Sequence, residues 1–149
     1  MDNQIVICIV KGGKIGEKAV EKAIGIAKEN SMKLIFLFSS DTDDILSGNF
    51  GISSDDITSR GIENIGKTLI SQFKDKAENS GVKYSSKIVG GDLLDELRKM
   101  IKRDDKSIFV VPRLERGPIE KFLIGNSIDE YIDKLKKEFP LLKIYIVDG

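Results

Sequence analysis

The chain contains no histidine. That removes the commonest general base and a preferred metal ligand, which excludes a Ser-His-Asp triad and any zinc site built on imidazole. It contains one cysteine, Cys8, set in an apolar strand pattern with no second thiol to form an internal disulfide. Cys8 therefore reads as a small buried hydrophobe. No apolar run approaches the ~20 residues that a membrane helix needs. The opening MDNQIVICIV also lacks the basic stretch of a signal peptide and leads straight into a strand pattern. The cytoplasm is the expected location. Neither sign of charge is in excess, with 24 basic against 24 acidic residues. A general grip on nucleic acid or on an anionic membrane is not expected, which leaves only a local patch to supply one.

What is present is a chain of 149 residues, 40% hydrophobic and 32% charged. This is ordinary for a globular protein and long enough to bury a substantial core as one domain over residues 1–149. Gln4–Val10 (QIVICIV) is a continuous apolar run of the kind found in strands buried on both faces. A helix is expected over Gly16–Asn30, with Ala19, Val20, Ala23, Ile24 and Ala27 at helical spacing. Lys33–Phe38 (KLIFLF) is the second apolar run, followed by a polar loop, Ser39–Asp56, with five aspartates and no basic residue. Asp41, Asp43 and Asp44 suggest a cation site only superficially. The glycine and distal glutamate of an EF-hand loop are missing, and solvation explains these aspartates better.

Ser53 and Asp56 resemble a capping box for a helix over about Asp55–Asn79, whose stripe is Ile62, Ile65, Leu69, Phe73 and Ala77. Gly81 stands where a helix-ending glycine is expected. Val82–Val89 suits an edge strand with one wetter face. Gly90-Gly91-Asp92 then turns into a helix capped by Asp92 and carrying Leu93, Leu94, Leu97, Met100 and Ile101. Ser107–Val111 is the fourth apolar run. Ser127–Phe139 is an amphipathic helix closed by Pro140, and Leu141–Val147 is a fifth strand. Strands alternating with single helices imply a parallel sheet wound on both sides, with its ligand crevice where the crossovers change direction. Tyr84 and Tyr145 read as packing residues of their strands.

Three segments together resemble the universal stress protein family. Residues 5–38 are similar to its opening strand, short loop, helix and second strand. Residues 80–101 (SGVKYSSKIVGGDLLDELRKMI) are similar to its third strand and a Gly-Asp helix start. Residues 107–147 are similar to its fourth strand, signature loop, final helix and last strand. The resemblance implies a three-layer α/β/α sandwich with a five-stranded parallel sheet in the order 3-2-1-4-5, its switch point lying between the first and fourth strands. It also implies a homodimer formed through the last strand, Leu141–Val147. An apolar strand at a sheet edge independently invites such pairing.

Nucleotide-binding members of that family use an aspartate after the first strand. Their loop has the form Gly-x-x-Gly, nine residues, then Gly followed by Ser or Thr. Here the aspartate position falls on Lys11, followed by Gly12 and Gly13. Counting back from Gly125, the loop glycines fall on Pro112 and Glu115, and Asn126 replaces Ser or Thr with Ser127 one position later. Pro112 has no N–H to offer a phosphate, and Glu115 adds negative charge where phosphate oxygens would lie. Lys11 removes a carboxylate that could accept a hydrogen bond from ribose. The expectation is that the ATP mode is lost.

Two readings of Lys11, Arg113, Arg116, Asn126 and Ser127 remain. One is a remodelled anion site at the start of the last helix, with Gly12, Gly13 and Gly125 supplying backbone. The other has Arg113 and Arg116 paired locally with Glu115 and Glu120, while Asn126 or Ser127 merely caps the helix. The expected function is a non-catalytic regulatory module of the stress-response type with no cofactor, no metal and a protein partner. The alternative is a switch that binds ATP, AMP or another anion in the crevice. An enzyme such as a phosphohydrolase ranks last, because no nucleophile–base pair stands out.

Overall fold

The five apolar runs become the five strands of one parallel sheet. The computed structural model describes residues 4–11, 13–39, 59–89, 93–103, 105–113 and 127–148. In chain order these form β1 (Ile5–Ile9), α1 (Gly13–Asn30), β2 (Lys33–Ser39), α2 (Ser59–Asn79), β3 (Tyr84–Val89), α3 (Leu93–Met100), β4 (Ile108–Arg113), α4 (Ser127–Glu138) and β5 (Lys143–Asp148). The strand order is β3-β2-β1-β4-β5 and every pairing is parallel. The aspartates of the Ser39–Asp56 segment, the Ser53/Asp56 capping box and the Asp92 cap lie outside the described residues.

Alternation along the central strands divides the core in two. Val6, Cys8 and Val10 of β1 pack with Leu34, Phe36 and Phe38 of β2 against α1 and α2, through Ala19, Val20, Ala23, Phe73 and Ala77. Ile7 and Ile9 point the other way and meet Phe109, Val111, Leu97, Ile101, Leu135 and Phe139, which belong to β4 and to the α3 and α4 side. Each large apolar side chain buried this way contributes about 1.5–3 kcal/mol. Tyr84 and Tyr145 pack against the first cluster as the sequence suggests, and the Tyr84 ring lies 5.9 Å from that of Phe36. Burial pushes the Cys8 thiol up to about 12, so it persists as an inert thiol within the core.

Helix ends follow the local chemistry. Gly81 takes φ +75° after α2. There the Val82 N–H donates to the Ala77 carbonyl and the Gly81 N–H to that of Glu78, a Schellman closure. The same closure ends α1, but with Ser31 at φ +54° in the glycine's place.

Several boundaries differ from the sequence reading, β3 for instance starting at Tyr84 rather than Val82. Helix α1 begins at Gly13 rather than Gly16, β4 runs on through Pro112 to Arg113, and β5 starts at Lys143 rather than Leu141. The β4 extension has a plain cause. Its pairing with β1 ends at Val110, while its pairing with β5 continues through Pro112↔Val147 and Arg113↔Asp148. Past the end of β1, the missing N–H of Pro112 costs the sheet little.

Candidate functional site at the carboxyl ends of β1 and β4

The crossover from β1 runs through α1 to β2, while that from β4 leads towards β5 in the opposite direction. The carboxyl ends of β1 and β4 therefore flank the switch point, where open α/β sheets place their ligands. Val10 is held at the end of β1 by its N–H donating to the Leu37 carbonyl at 2.9 Å. Lys11 follows, only 2% exposed. The chain then turns sharply into α1 through Gly13, which takes φ +79°.

Gly16 makes this turn possible. A Cβ at that position would lie 1.9 Å from the Lys11 carbonyl oxygen and 2.5 Å from its carbon. The first turn of α1 thus sits directly on the Lys11 backbone, and only a residue without a side chain fits. Sequence reasoning took Gly16 as the start of a helix and missed this role. The spacing Lys11–Gly16, across a βα turn, is the only signal the sequence carries for it.

Across the switch point, Val111 and Pro112 are buried. Arg113 and Lys11 occupy matching positions, each three residues past the last paired residues, Val110 and Cys8. Ser127 is the first residue of α4. The structure therefore places Lys11, Gly13 and Arg113 at one end of two neighbouring strands. Gly12, Arg116, Gly125 and Asn126 lie outside the described residues, as do Glu115 and Glu120. Among the described residues no cluster of three or more His, Cys, Asp or Glu side chains is placed to hold a metal ion. No helix among them is long and apolar enough to cross a membrane.

The geometry defines a class first: a doubly wound parallel α/β domain whose switch-point crevice carries a buried lysine. Comparison with known proteins makes this more specific. No family model matches the sequence, and no curated protein matches it. Solved structures do match along nearly the whole chain. A universal stress family protein from Burkholderia pseudomallei superposes with a TM-score of 0.64 at 10% identity, covering 100% of this chain and 99% of that one. A universal stress protein in complex with cAMP gives 0.59 at 19% identity, with 97% and 96% covered. A family member from Arabidopsis thaliana with AMP bound gives 0.51 at 18% identity, with 97% and 91% covered. The chain has the universal stress protein fold, including the strand order 3-2-1-4-5.

Proposed function

We propose that the protein is a non-catalytic regulatory module of the universal stress type, working in the cytoplasm, in which the ATP mode of binding has been lost. The observation that carries this reading is Lys11. A buried lysine stands at the end of β1, where a ribose-binding carboxylate is expected. Across the crevice the first expected loop glycine is Pro112, which lies within β4 and is paired with Val147. A strand residue that lacks an N–H cannot serve as the flexible donor of a phosphate loop. Nucleophilic catalysis finds no support either, since Cys8 is held as a buried thiol and the chain has no histidine.

The module works as a homodimer joined through β5. Ile144, Tyr145, Ile146 and Val147 are half-buried on an edge strand, whereas the opposite edge, β3, shows Ser86 and Lys87 to solvent. A polar, charged edge resists pairing and an apolar one invites it.

A second reading is favoured by one specific finding, namely that two of the structural neighbours were solved with cAMP and with AMP bound. In it, Lys11, Arg113 and Ser127 hold an adenine nucleotide or another anion by charge rather than by loop glycines. Calorimetric titration of ATP and AMP into the purified protein separates the two readings. The first expects no heat at high micromolar nucleotide. Binding that weakens in Lys11→Ala would establish the second.

A further inference from the structure

The pole of the molecule opposite the crevice carries its own pattern. All five strands start there, and the positions leading into four of them are lysines. Lys33 pairs with Ile5 at the start of β2. Lys83 immediately precedes Tyr84, the partner of Leu34, and its carbonyl accepts the Leu34 N–H at 2.9 Å. Lys33 and Lys83 therefore stand side by side on neighbouring strands. Lys143 pairs with Ile108, and Lys106 lies two residues before Ile108. With strands about 4.8 Å apart, the row from β3 to β5 is roughly 19 Å long. Lys102 and Arg103 join it from the turn that follows α3.

All six of these side chains are exposed. Like charges directly opposite on adjacent strands are destabilising unless something neutralises them. Among the described residues, no acid forms an ion pair with any of these six side chains. Asp105 accepts the Lys102 backbone N–H at 2.9 Å, Glu78 accepts the Tyr84 hydroxyl at 2.6 Å, and Glu138 is taken by Arg98 at 2.7 Å. Glu29 at the end of α1 and Asp75 of α2, whose charge acts on the Tyr84 hydroxyl, are further exposed acids there among the described residues. Basic residues at helix carboxyl ends ordinarily offset the helix dipoles. Lys28, Lys136 and Lys137 already occupy those last turns, so the lysines leading into the strands are additional.

A second, independent feature lies on the same pole. Leu141 is 47% exposed and is the one exposed large hydrophobic side chain among the described residues. It lies two residues before Lys143, level with Lys106 in the register that pairs Lys143 with Ile108. A nucleic-acid surface would use arginine forks and exposed aromatic rings to grip phosphates and bases. This pole offers lysines, a single arginine and an aliphatic tip.

We propose that this pole docks on the surface of an anionic lipid bilayer, its lysines lying among the headgroups while Leu141 enters the headgroup–acyl boundary. The charge acts locally, which is compatible with a net charge of zero for the whole chain. The proposal is independent of what the crevice binds.

The test is co-sedimentation of the full chain with vesicles of phosphatidylcholine alone and of phosphatidylcholine mixed with phosphatidylglycerol. Binding is expected only to the mixed vesicles, falling as salt rises. Each lysine near the surface is worth about fivefold in partition. Lys33→Glu with Lys83→Glu should therefore lower binding more than tenfold, and Leu141→Ser should weaken the part that survives at higher salt. Lys14→Glu with Lys18→Glu, on the first turns of α1, should leave binding unchanged. If the double reversal fails to fold by circular dichroism, Lys33→Gln with Lys83→Gln should give a smaller loss in the same direction. No binding to phosphatidylglycerol vesicles at low salt overturns the proposal, as does an equal loss in the α1 pair. A short DNA duplex that binds more tightly than the vesicles also overturns it and assigns the pole to nucleic acid.

Discussion

At the level of single residues, the backbone contact between Gly16 and Lys11 sets the hardest constraint in the chain. With a carbonyl oxygen 1.9 Å from where a Cβ would stand, Gly16→Ala must push α1 away from the end of β1. Overpacking of this kind costs about 2–3 kcal/mol, measurable as a lower urea midpoint with an unchanged slope. Ser31 presents the opposite case. It holds φ +54° in a helix closure that favours glycine, so Ser31→Gly should raise stability by roughly 0.5–1 kcal/mol in the same assay. These two sites differ in how far the sequence reveals them. Cys8 could be read as buried because its neighbours on both sides are apolar. Gly16 could not, because its importance comes from a carbonyl that only the βα turn brings near.

At the level of elements, alternation and helical spacing made the order of strands and helices legible, along with the polar edge at β3. The ends of elements were less so. The apolar run SIFVV marks β4 only as far as Val111. The pairing of Pro112 with Val147 depends on β5 outlasting β1, and no local pattern shows that. Helix α1 opens three residues early because Gly13 and Lys14 carry no apolar spacing and no side-chain cap.

Two predictions belong to this scale. Lys87 on β3 forms an ion pair with Glu96 on α3. That hydrogen-bonded ammonium holds the Glu96 carboxyl below its ordinary value, against the opposing effect of desolvation. The stabilisation is complete above the ordinary carboxylate pKa and disappears as pH falls through the lowered folded value. Glu96→Gln should therefore lower stability at neutral pH by a few tenths to about 1 kcal/mol, because Lys87 is half-exposed and screened. The wild-type and variant melting curves should converge in acid. At the other edge, Ile146→Lys places a charge on β5. It should convert a dimer to a monomer in analytical ultracentrifugation without abolishing the melting transition.

At the level of the whole molecule, charge is sorted along the strand direction although its sum is zero. The lysines that lead into the strands are as much as 110 positions apart in the sequence, from Lys33 to Lys143, and each alone looks like an ordinary solvated side chain. Only a parallel sheet gathers them, because it puts every strand start at the same pole. The edge position of β5 sets how two copies would be oriented in the dimer proposed above. A two-fold axis that joins equivalent edge strands into one continuous sheet must run them antiparallel. The lysine-rich ends of the two subunits then face away from each other. If the copies pair and dock as proposed above, such a pair cannot lie with both ends on one flat surface; it would be a rung between two sheets of lipid.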